Sequence, residues 1–247
     1  MATIVTTYST EGFYLYGHRF IETYEKYWPK RDPLVVYADR VTDGARCERR
    51  ELTAIPSLVE FQKRHAGNLM ANGRVPTHVW KTKDIGDGYS FRTDAVKFSN
   101  KVFVVREAAR QLRRGILVWS DADVVIFGQV PQMFCEDLLK NHDVAYLGRD
   151  RTYSECGFLA FRLPEAVPLI ERWAAYYETD EVFNLPQTHD SYVFDVTREQ
   201  MPFLRQLNLT PNGYAHTWVR SPLAVFSDHK KGLRKHLGYS PEMGQRP

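Results

Sequence analysis

Short apolar runs alternate along this chain with longer segments in which apolar residues recur at helical spacing. Strands of a parallel sheet are buried on both faces and read as short continuous apolar runs, so these runs are predicted strands. They span residues 3–7, 34–38, 116–120, 124–127, 144–147 and 157–161. Strands that alternate with helices predict an α/β, Rossmann-like fold, in which a mostly parallel sheet is flanked by helices.

Three segments have the spacing of long helices. An aromatic stripe runs through residues 13–28 and ends at Pro29, which cannot continue a helix. The other two segments span residues 93–112 and 164–177, and Pro164 suits the first turn of the last one. We interpret all three as helices that cover the sheet.

Two regions contain too many helix and strand breakers for a packed element. Residues 67–88 are rich in Gly, Asn, Asp and Pro, which predicts an exposed loop. Residues 238–247 contain further glycines and prolines, which predicts a poorly ordered tail. The chain has 247 residues, 43% of them hydrophobic and 26% charged, a composition that suits one α/β domain. We place that domain at residues 1–237.

Charge and cysteine content narrow the class of protein. The 33 basic residues are nearly balanced by 30 acidic ones, and the net charge of +3 is too mild to indicate nucleic-acid binding by itself. The three cysteines form no C-x-x-C pair, which argues against a disulfide framework or a zinc site and indicates reduced thiols. No signal peptide is recognisable, and no apolar stretch approaches the roughly 20 residues that span a bilayer. We therefore expect a soluble, cytoplasmic protein whose membrane contacts, if any, are peripheral.

The tetrapeptide Ser120-Asp121-Ala122-Asp123 lies between two apolar runs. Carboxylates beside buried strands are costly unless they are paired or ligate a metal. In a strand, residues two apart point to the same side, so Asp121 and Asp123 would face one Mn²⁺ or Mg²⁺ ion. The alternative is a solvated turn between two hydrophobic segments.

A second candidate motif lies near the carboxyl terminus, where His229, Gly232 and Lys235 follow one another at intervals of three residues. Imidazole ligates Mn²⁺, glycine lets the backbone approach a phosphate, and lysine neutralises a departing diphosphate. The alternative is a solvated basic tail.

Together the two motifs resemble those of the GT-A glycosyltransferases, and among them the glycogenin-like, retaining families. The DXD motif of those enzymes follows a strand as Asp121-Ala122-Asp123 does, and their C-terminal His-x-x-Gly-x-x-Lys matches His229, Gly232 and Lys235. The resemblance implies a GT-A fold with a small mixed annex on the acceptor side. It also implies a nucleotide-sugar-binding half at residues 1–127 and an acceptor half at residues 128–237.

The resemblance further implies a cofactor and a donor. Mn²⁺ (or Mg²⁺) would be held by Asp121, Asp123 and His229, and Asp121 would also reach the ribose. Lys235 and the backbone near Gly232 would bind the diphosphate of a nucleotide sugar, in particular a UDP-sugar. The remaining candidate donor contacts are Thr6, Thr7, Tyr8, Arg92, Lys97, Ser120 and Ala122. Simpler roles are open for three of them: Tyr8 as a boundary core residue, Arg92 as a partner of Asp94, and Lys97 in solvent.

Two carboxylates are candidate catalytic residues. Glu155-Cys156-Gly157 replaces the usual Asn-x-Gly of the family, which makes Glu155 a candidate for sugar recognition. Asp190-Ser191 resembles the family's Asp-Gln motif, and Asp190 would contact the transferred sugar or stabilise positive charge at its anomeric carbon. An ordinary role as a helix N-cap or first-turn acid is the alternative for Asp190.

The resemblance implies transfer of a sugar to an acceptor hydroxyl with retained configuration. The acceptor would be a glycan, lipopolysaccharide, a protein hydroxyl or a modified DNA base. Two other functions stay open: a phosphatase of the haloacid dehalogenase type with Asp121 as nucleophile, and a non-catalytic carbohydrate- or DNA-binding protein.

Overall fold

The computed structural model describes residues 1–39, 47–74, 88–211, 216–232, 234 and 240. Its strands are β1 (Ala2–Tyr8), β2 (Leu34–Ala38), β3 (Cys47–Glu51), β4 (Gly115–Ser120), β5 (Val124–Ile126), β6 (Val144–Leu147), β7 (Glu155–Leu163), β8 (Gln206–Asn208) and β9 (Ser227–His229). Its α-helices are α1 (Thr10–Gly12), α2 (His18–Tyr27), α3 (Pro56–His65), α4 (Ala95–Leu112), α5 (Phe134–Leu138), α6 (Val167–Glu178) and α7 (Asp190–Glu199). A π-helical turn joins α1 to α2.

Within the described residues, seven strands form one sheet in the order β3-β2-β1-β4-β7-β6-β8. All of its pairings are parallel except those of β7, which runs antiparallel to both β4 and β6. A second, two-stranded sheet pairs β5 with β9 in antiparallel fashion. The predicted α/β class, with a mostly parallel sheet flanked by helices, is confirmed.

Each face of the large sheet carries its own hydrophobic core. Successive strand residues point to opposite faces. Thus Val5 and Trp119 pack into the core under α3, α4, α6 and α7, while Ile4 and Val118 pack into the core under α2. This three-layer arrangement explains why the central strands are continuous apolar runs. Because β1 and β4 are parallel neighbours, the loops that follow them lie side by side at the carboxyl ends of the strands.

Most of the predicted elements agree with the observed ones to within two or three residues. The helix predicted at residues 164–177 begins later, at Val167, and its first turn contains Pro168 rather than Pro164. Sequence reasoning missed β3, α3 and β8. The sequence of β3 is Cys-Glu-Arg-Arg-Glu, and the strand lies at the sheet edge, where one side is open to solvent and no apolar run is required.

Two predicted irregular regions lie largely outside the described residues, namely 75–87 of the predicted loop and most of the predicted tail. Ser240 of that tail is described, and it is buried. Its backbone N–H donates a hydrogen bond to Asp228 at 3.0 Å. Among the described helices, none has both the length and the apolar character that a membrane crossing requires.

An ion pair at the edge of the sheet makes stability depend on pH. Asp143 accepts hydrogen bonds from the Arg205 backbone N–H at 2.9 Å and from its guanidinium at 2.6 and 3.1 Å. The Arg205 guanidinium is the main cause that holds the pKa of Asp143 below its ordinary value of 3.8. A carboxyl with a depressed folded-state pKa stabilises the fold above its unfolded pKa and loses that contribution as pH falls through the folded value.

We therefore expect Asp143→Asn to unfold at lower urea concentration than the wild type at neutral pH. The difference should shrink as pH falls below the ordinary Asp pKa of 3.8 and through the lower folded-state value, where the wild-type carboxyl becomes protonated as well. Urea denaturation of both proteins at neutral pH and at a series of pH values below 3.8 measures this. A difference that stays constant with pH would contradict the assigned role of the ion pair.

Candidate functional site

The two carboxylates of the DXD motif lie in a turn and not in a strand. Asp121 follows β4 directly, and the backbone N–H of Val124 donates to the carbonyl of Asp121 at 3.2 Å, which closes the turn before β5. The prediction that Asp121 and Asp123 share a strand face is therefore wrong. The turn nevertheless brings the two carboxylates together, with one oxygen of each within 4.8 Å of the other.

The antiparallel pairing of β5 with β9 brings His229 to this turn from more than a hundred residues away. Val124 is the register partner of His229, and the Lys230 backbone N–H donates to the Asp123 carbonyl at 3.1 Å. The His229 side chain is fully buried. The position of its imidazole is thus determined by the backbone on both sides.

The three side chains form a compact donor set. His229 Nε2 lies 2.9 Å from Asp123 Oδ1 and 3.5 Å from Asp121 Oδ2. One ligand atom from each residue lies within 4.8 Å of the other two. Two carboxylate oxygens and one imidazole nitrogen suit Mn²⁺, and the carboxylates also suit Mg²⁺. The residues present therefore fit the divalent cation that the sequence motifs imply.

The charged form of His229 is stabilised by carboxylates that lie close to it. Burial alone would lower the pKa of His229, but the carboxylates of Asp123 and Glu155 raise it to about 10. The two carboxylates thus favour the protonated imidazole, whose Nε2 lies 2.9 Å from Asp123 Oδ1. Metal ligation requires neutral imidazole, so a divalent ion would replace that proton.

Lys101 connects the DXD motif to a second buried carboxylate. It projects from α4, and its ammonium lies 2.9 Å from Asp121 Oδ1, 2.5 Å from Asp190 Oδ2 and 2.7 Å from the Cys156 carbonyl oxygen. Burial opposes the charged form, but the two carboxylates outweigh it and raise the pKa of Lys101. The ammonium thus donates to one carbonyl and forms ion pairs with two carboxylates, so Lys101 stays charged and fixed.

Asp190 is buried at the start of α7. The N-cap is the preceding residue, His189, whose side chain accepts from the Tyr192 backbone N–H. Asp190 therefore occupies the first turn and is not the cap. Burial alone would raise its pKa, but the Lys101 ammonium and His189 hold the pKa of Asp190 below the ordinary range. The carboxylate is thus ionised at the cavity wall.

Glu155 is the first residue of β7, and only 1% of it is exposed. One carboxylate oxygen accepts from the Arg149 guanidinium. The other accepts from the Lys231 ammonium at 2.8 Å and lies 3.2 Å from His229 Nδ1. Burial would raise the pKa of Glu155, but Lys231, His229 and Arg149 together hold it well below the ordinary range.

A cavity of about 1040 Å³ opens over these groups. Of the predicted residues, it is lined by Thr7, Tyr8, Lys97, Asp121, Ala122, Asp123, Glu155, Asp190, His229 and Gly232. Thr6 and Ser120 are buried and do not line it, and neither does Arg92, whose carbonyl accepts from the Thr188 backbone N–H at 2.7 Å. Lys235 lies outside the described residues.

At the β1 end of the cavity, Tyr8 belongs both to the core and to the cavity wall. It is buried, packs on Phe13 with ring centroids 5.5 Å apart, and lies against Gly17. A Cβ atom at Gly17 would come within 2.9 Å of the Tyr8 ring. Thr7 donates its hydroxyl proton to the Tyr37 carbonyl at 2.7 Å, so its side chain is committed to β2.

Sequence reasoning gave no site role to several residues that line the cavity, among them Lys101, Trp119 and Arg149. Lys101 is 9% exposed on the buried side of α4, and a lysine among apolar helix positions is the signal that would have pointed to it. Trp119 Nε1 donates to Asp121 Oδ1 at 2.7 Å, a contact that follows from their spacing of two residues. Nothing in the local sequence marks Arg149, because its partner is brought close only by the sheet.

The comparisons with known proteins add information on the fold. No model of a known protein family matches the chain, and no curated protein matches it. The chain is similar to the crystal structure of a glycosyltransferase involved in the glycosylation of the major capsid of PBCV-1, with a TM-score of 0.50 and 11% sequence identity. The match covers 96% of this chain and 98% of that one. At this identity the two share a fold, and that fold is one used by a glycosyltransferase.

Proposed function

We propose that this protein is a glycosyltransferase that binds Mn²⁺ or Mg²⁺ and transfers a sugar from a nucleotide-sugar donor, a UDP-sugar, to an acceptor hydroxyl with retained configuration. The observation that carries the proposal is the meeting of Asp121, Asp123 and His229 at the wall of a large cavity. Supporting it, the chain shares its fold over nearly its whole length with a glycosyltransferase. The cavity lies at the carboxyl ends of β1 and β4, where open α/β sheets bind nucleotides.

A divalent ion held by Asp121, Asp123 and His229 would neutralise the negative charge that grows on the departing diphosphate. Lys231 and Gly232 would form the rest of the diphosphate site. Lys231 lines the cavity with about half of its side chain exposed. Gly232 has a φ of 59°, in the left-handed region that favours glycine, and has open space where a Cβ atom would be. The backbone there can approach a phosphate closely.

We assign to Asp190 the role of stabilising the positive charge that develops at the anomeric carbon of the donor sugar. Lys101 keeps Asp190 ionised and fixes its orientation, so that little reorganisation is needed when the charge appears. With the leaving diphosphate on the same face as the incoming hydroxyl, a phosphate oxygen would accept the acceptor's proton.

The cavity volume of about 1040 Å³ is at the upper end of the range of roughly 300–1,000 Å³ for small-molecule sites. That volume has room for a nucleotide sugar together with the reacting part of an acceptor. Aromatic side chains of Phe91 and Tyr153 line the wall near Asp190 and would contact apolar sugar faces.

A panel of nucleotide sugars tested by thermal shift in the presence of Mn²⁺ is the experiment that tests this function. A ligand at a hundred times its Kd stabilises the fold by about 2.7 kcal/mol. For a chain of this size that raises Tm by about 5–10 °C. We expect such a shift with at least one UDP-sugar and Mn²⁺, its loss with EDTA, and slow donor hydrolysis by the same pair.

The controls are Mn²⁺ alone and each nucleotide sugar alone, both of which should give smaller shifts. No stabilisation by any nucleotide sugar, combined with release of phosphate from a generic phosphate ester, would contradict the proposal and support phosphatase chemistry at Asp121.

A further inference from the structure

We propose that Glu155 is a positioning residue that orients His229 for metal binding, and that it does not act on the sugar itself. This inference rests on the metal site of the proposed function. It departs from the role in sugar recognition that the sequence motif predicts for Glu155.

The Glu155 carboxylate is already held by neighbouring side chains. One oxygen is held by Arg149, and the other is shared by Lys231 and the Nδ1 side of His229. Both carboxylate oxygens are paired with cationic side chains and only 1% of the residue is exposed, so little of the carboxylate is accessible to a bound sugar. Attack on an anomeric carbon would require the carboxylate to give up its pairing with Arg149 or Lys231, which is costly.

The orientation of the His229 imidazole also supports a positioning role for Glu155. His229 Nδ1 lies 3.2 Å from Glu155 Oε1, whereas Nε2 faces Asp123 at 2.9 Å and Asp121 at 3.5 Å. A proton on Nδ1 that points to Glu155 leaves the Nε2 lone pair on the side of the DXD carboxylates. Carboxylates that fix the tautomer of a metal-binding histidine in this way raise its basicity and its metal affinity.

Gly157, two residues further along β7, leaves the space that the His229 ring occupies. A Cβ atom at Gly157 would lie 2.6 Å from His229 Cε1 and 2.7 Å from its Nδ1, closer than real contacts allow. Residues two apart on a strand share a face, so β7 supplies both the carboxylate and the space for the ring edge. The same strand thus specifies the position and the orientation of His229.

The test measures Mn²⁺ affinity by electron paramagnetic resonance in wild type, Glu155→Ala, Glu155→Gln and Gly157→Ala. Loss of a carboxylate partner of a metal-binding histidine typically weakens the metal by about 10–100-fold. We expect a loss of that size in Glu155→Ala and Gly157→Ala. Glu155→Gln should recover part of the affinity, because it keeps an acceptor oxygen on the Nδ1 side of the ring. Asp143→Asn, which removes a buried carboxylate outside the cavity, serves as the control and should bind Mn²⁺ as the wild type does.

Nitrogen NMR of ¹⁵N-histidine-labelled protein saturated with Mg²⁺ gives a second readout. We expect His229 to be protonated at Nδ1 and not at Nε2 in the wild type, and this preference to weaken in Glu155→Ala. Gly157→Ala keeps the carboxylate, so it retains a test of ring position if Glu155→Ala fails to fold.

The outcomes separate this inference from the proposed function. Mn²⁺ affinity within twofold of wild type in both folded alanine variants would overturn the positioning role alone. A wild type that binds no Mn²⁺ would overturn the metal site and this inference together. The wild type could also bind Mn²⁺ with an affinity that falls in Glu155→Ala, and yet turn over no nucleotide sugar. That result would support this inference and contradict the proposed function.

Discussion

Replacing Asp123 with asparagine is expected to abolish Mn²⁺-dependent donor hydrolysis and sugar transfer, with a fall in turnover of at least about a hundredfold. The side chain keeps its size, but the charged oxygen that lies 2.9 Å from His229 Nε2 becomes part of a neutral amide. A neutral amide binds a divalent cation far more weakly than a carboxylate, and the negative charge on the leaving diphosphate is then no longer compensated. Initial rates over a Mn²⁺ titration, with the nucleotide sugar saturating, measure the effect.

The matched control is Asp137→Asn, which makes the same chemical change at an exposed position of α5. It should retain wild-type turnover and Mn²⁺ dependence. Wild-type activity in Asp123→Asn with Mn²⁺ present would refute the assignment of the metal ligands, whereas equal losses in both variants would point to a general effect on the protein.

Replacing Lys101 with methionine is expected to destabilise the protein by about 3–5 kcal/mol, because it leaves the buried carboxylate of Asp190 and the partly buried one of Asp121 without their shared cation. Methionine fills a similar volume but forms no ion pair with either carboxylate and donates no hydrogen bond to the Cys156 carbonyl. The pKa of Asp190 should rise, since burial favours its neutral form once the ammonium is gone. Urea or guanidinium denaturation gives the change in unfolding free energy.

Lys97→Met is the matched control for stability, one helical turn earlier on α4. Lys97 is exposed, and its ammonium lies over the rings of Tyr89 and Phe98. An exposed substitution of this kind usually changes stability by no more than about 0.5 kcal/mol. Similar denaturation midpoints for the two variants would show that Lys101 is not the buried cation of this site.

The residues behind these two predictions were not equally easy to recognise in the sequence. The Asp121 and Asp123 pair could be recognised because two carboxylates between apolar runs are unusual, and His229 because its spacing to Gly232 matched a second motif. The strands of the sheet centre were equally visible, since burial on both faces demands uninterrupted apolar residues. Lys101 has no comparable signal beyond its place on an apolar helix, and the lysine predicted from the sequence is Lys97, four residues earlier, and not Lys101.

The sequence by itself determined the α/β class, the central strands and the residue types of a candidate hard-cation site, because these depend on short-range patterns of burial and charge. Only the tertiary structure decided that β5 pairs with β9 so that His229 reaches the DXD turn, and that Lys101 joins Asp121 to Asp190. It also decided that Glu155 faces His229 with Arg149 and Lys231 around it. Apart from Arg149 and Glu155, which are close in the sequence, these pairings join residues tens to more than a hundred positions apart. The free energy that selects them comes from packing and desolvation of the whole fold, which no local pattern records.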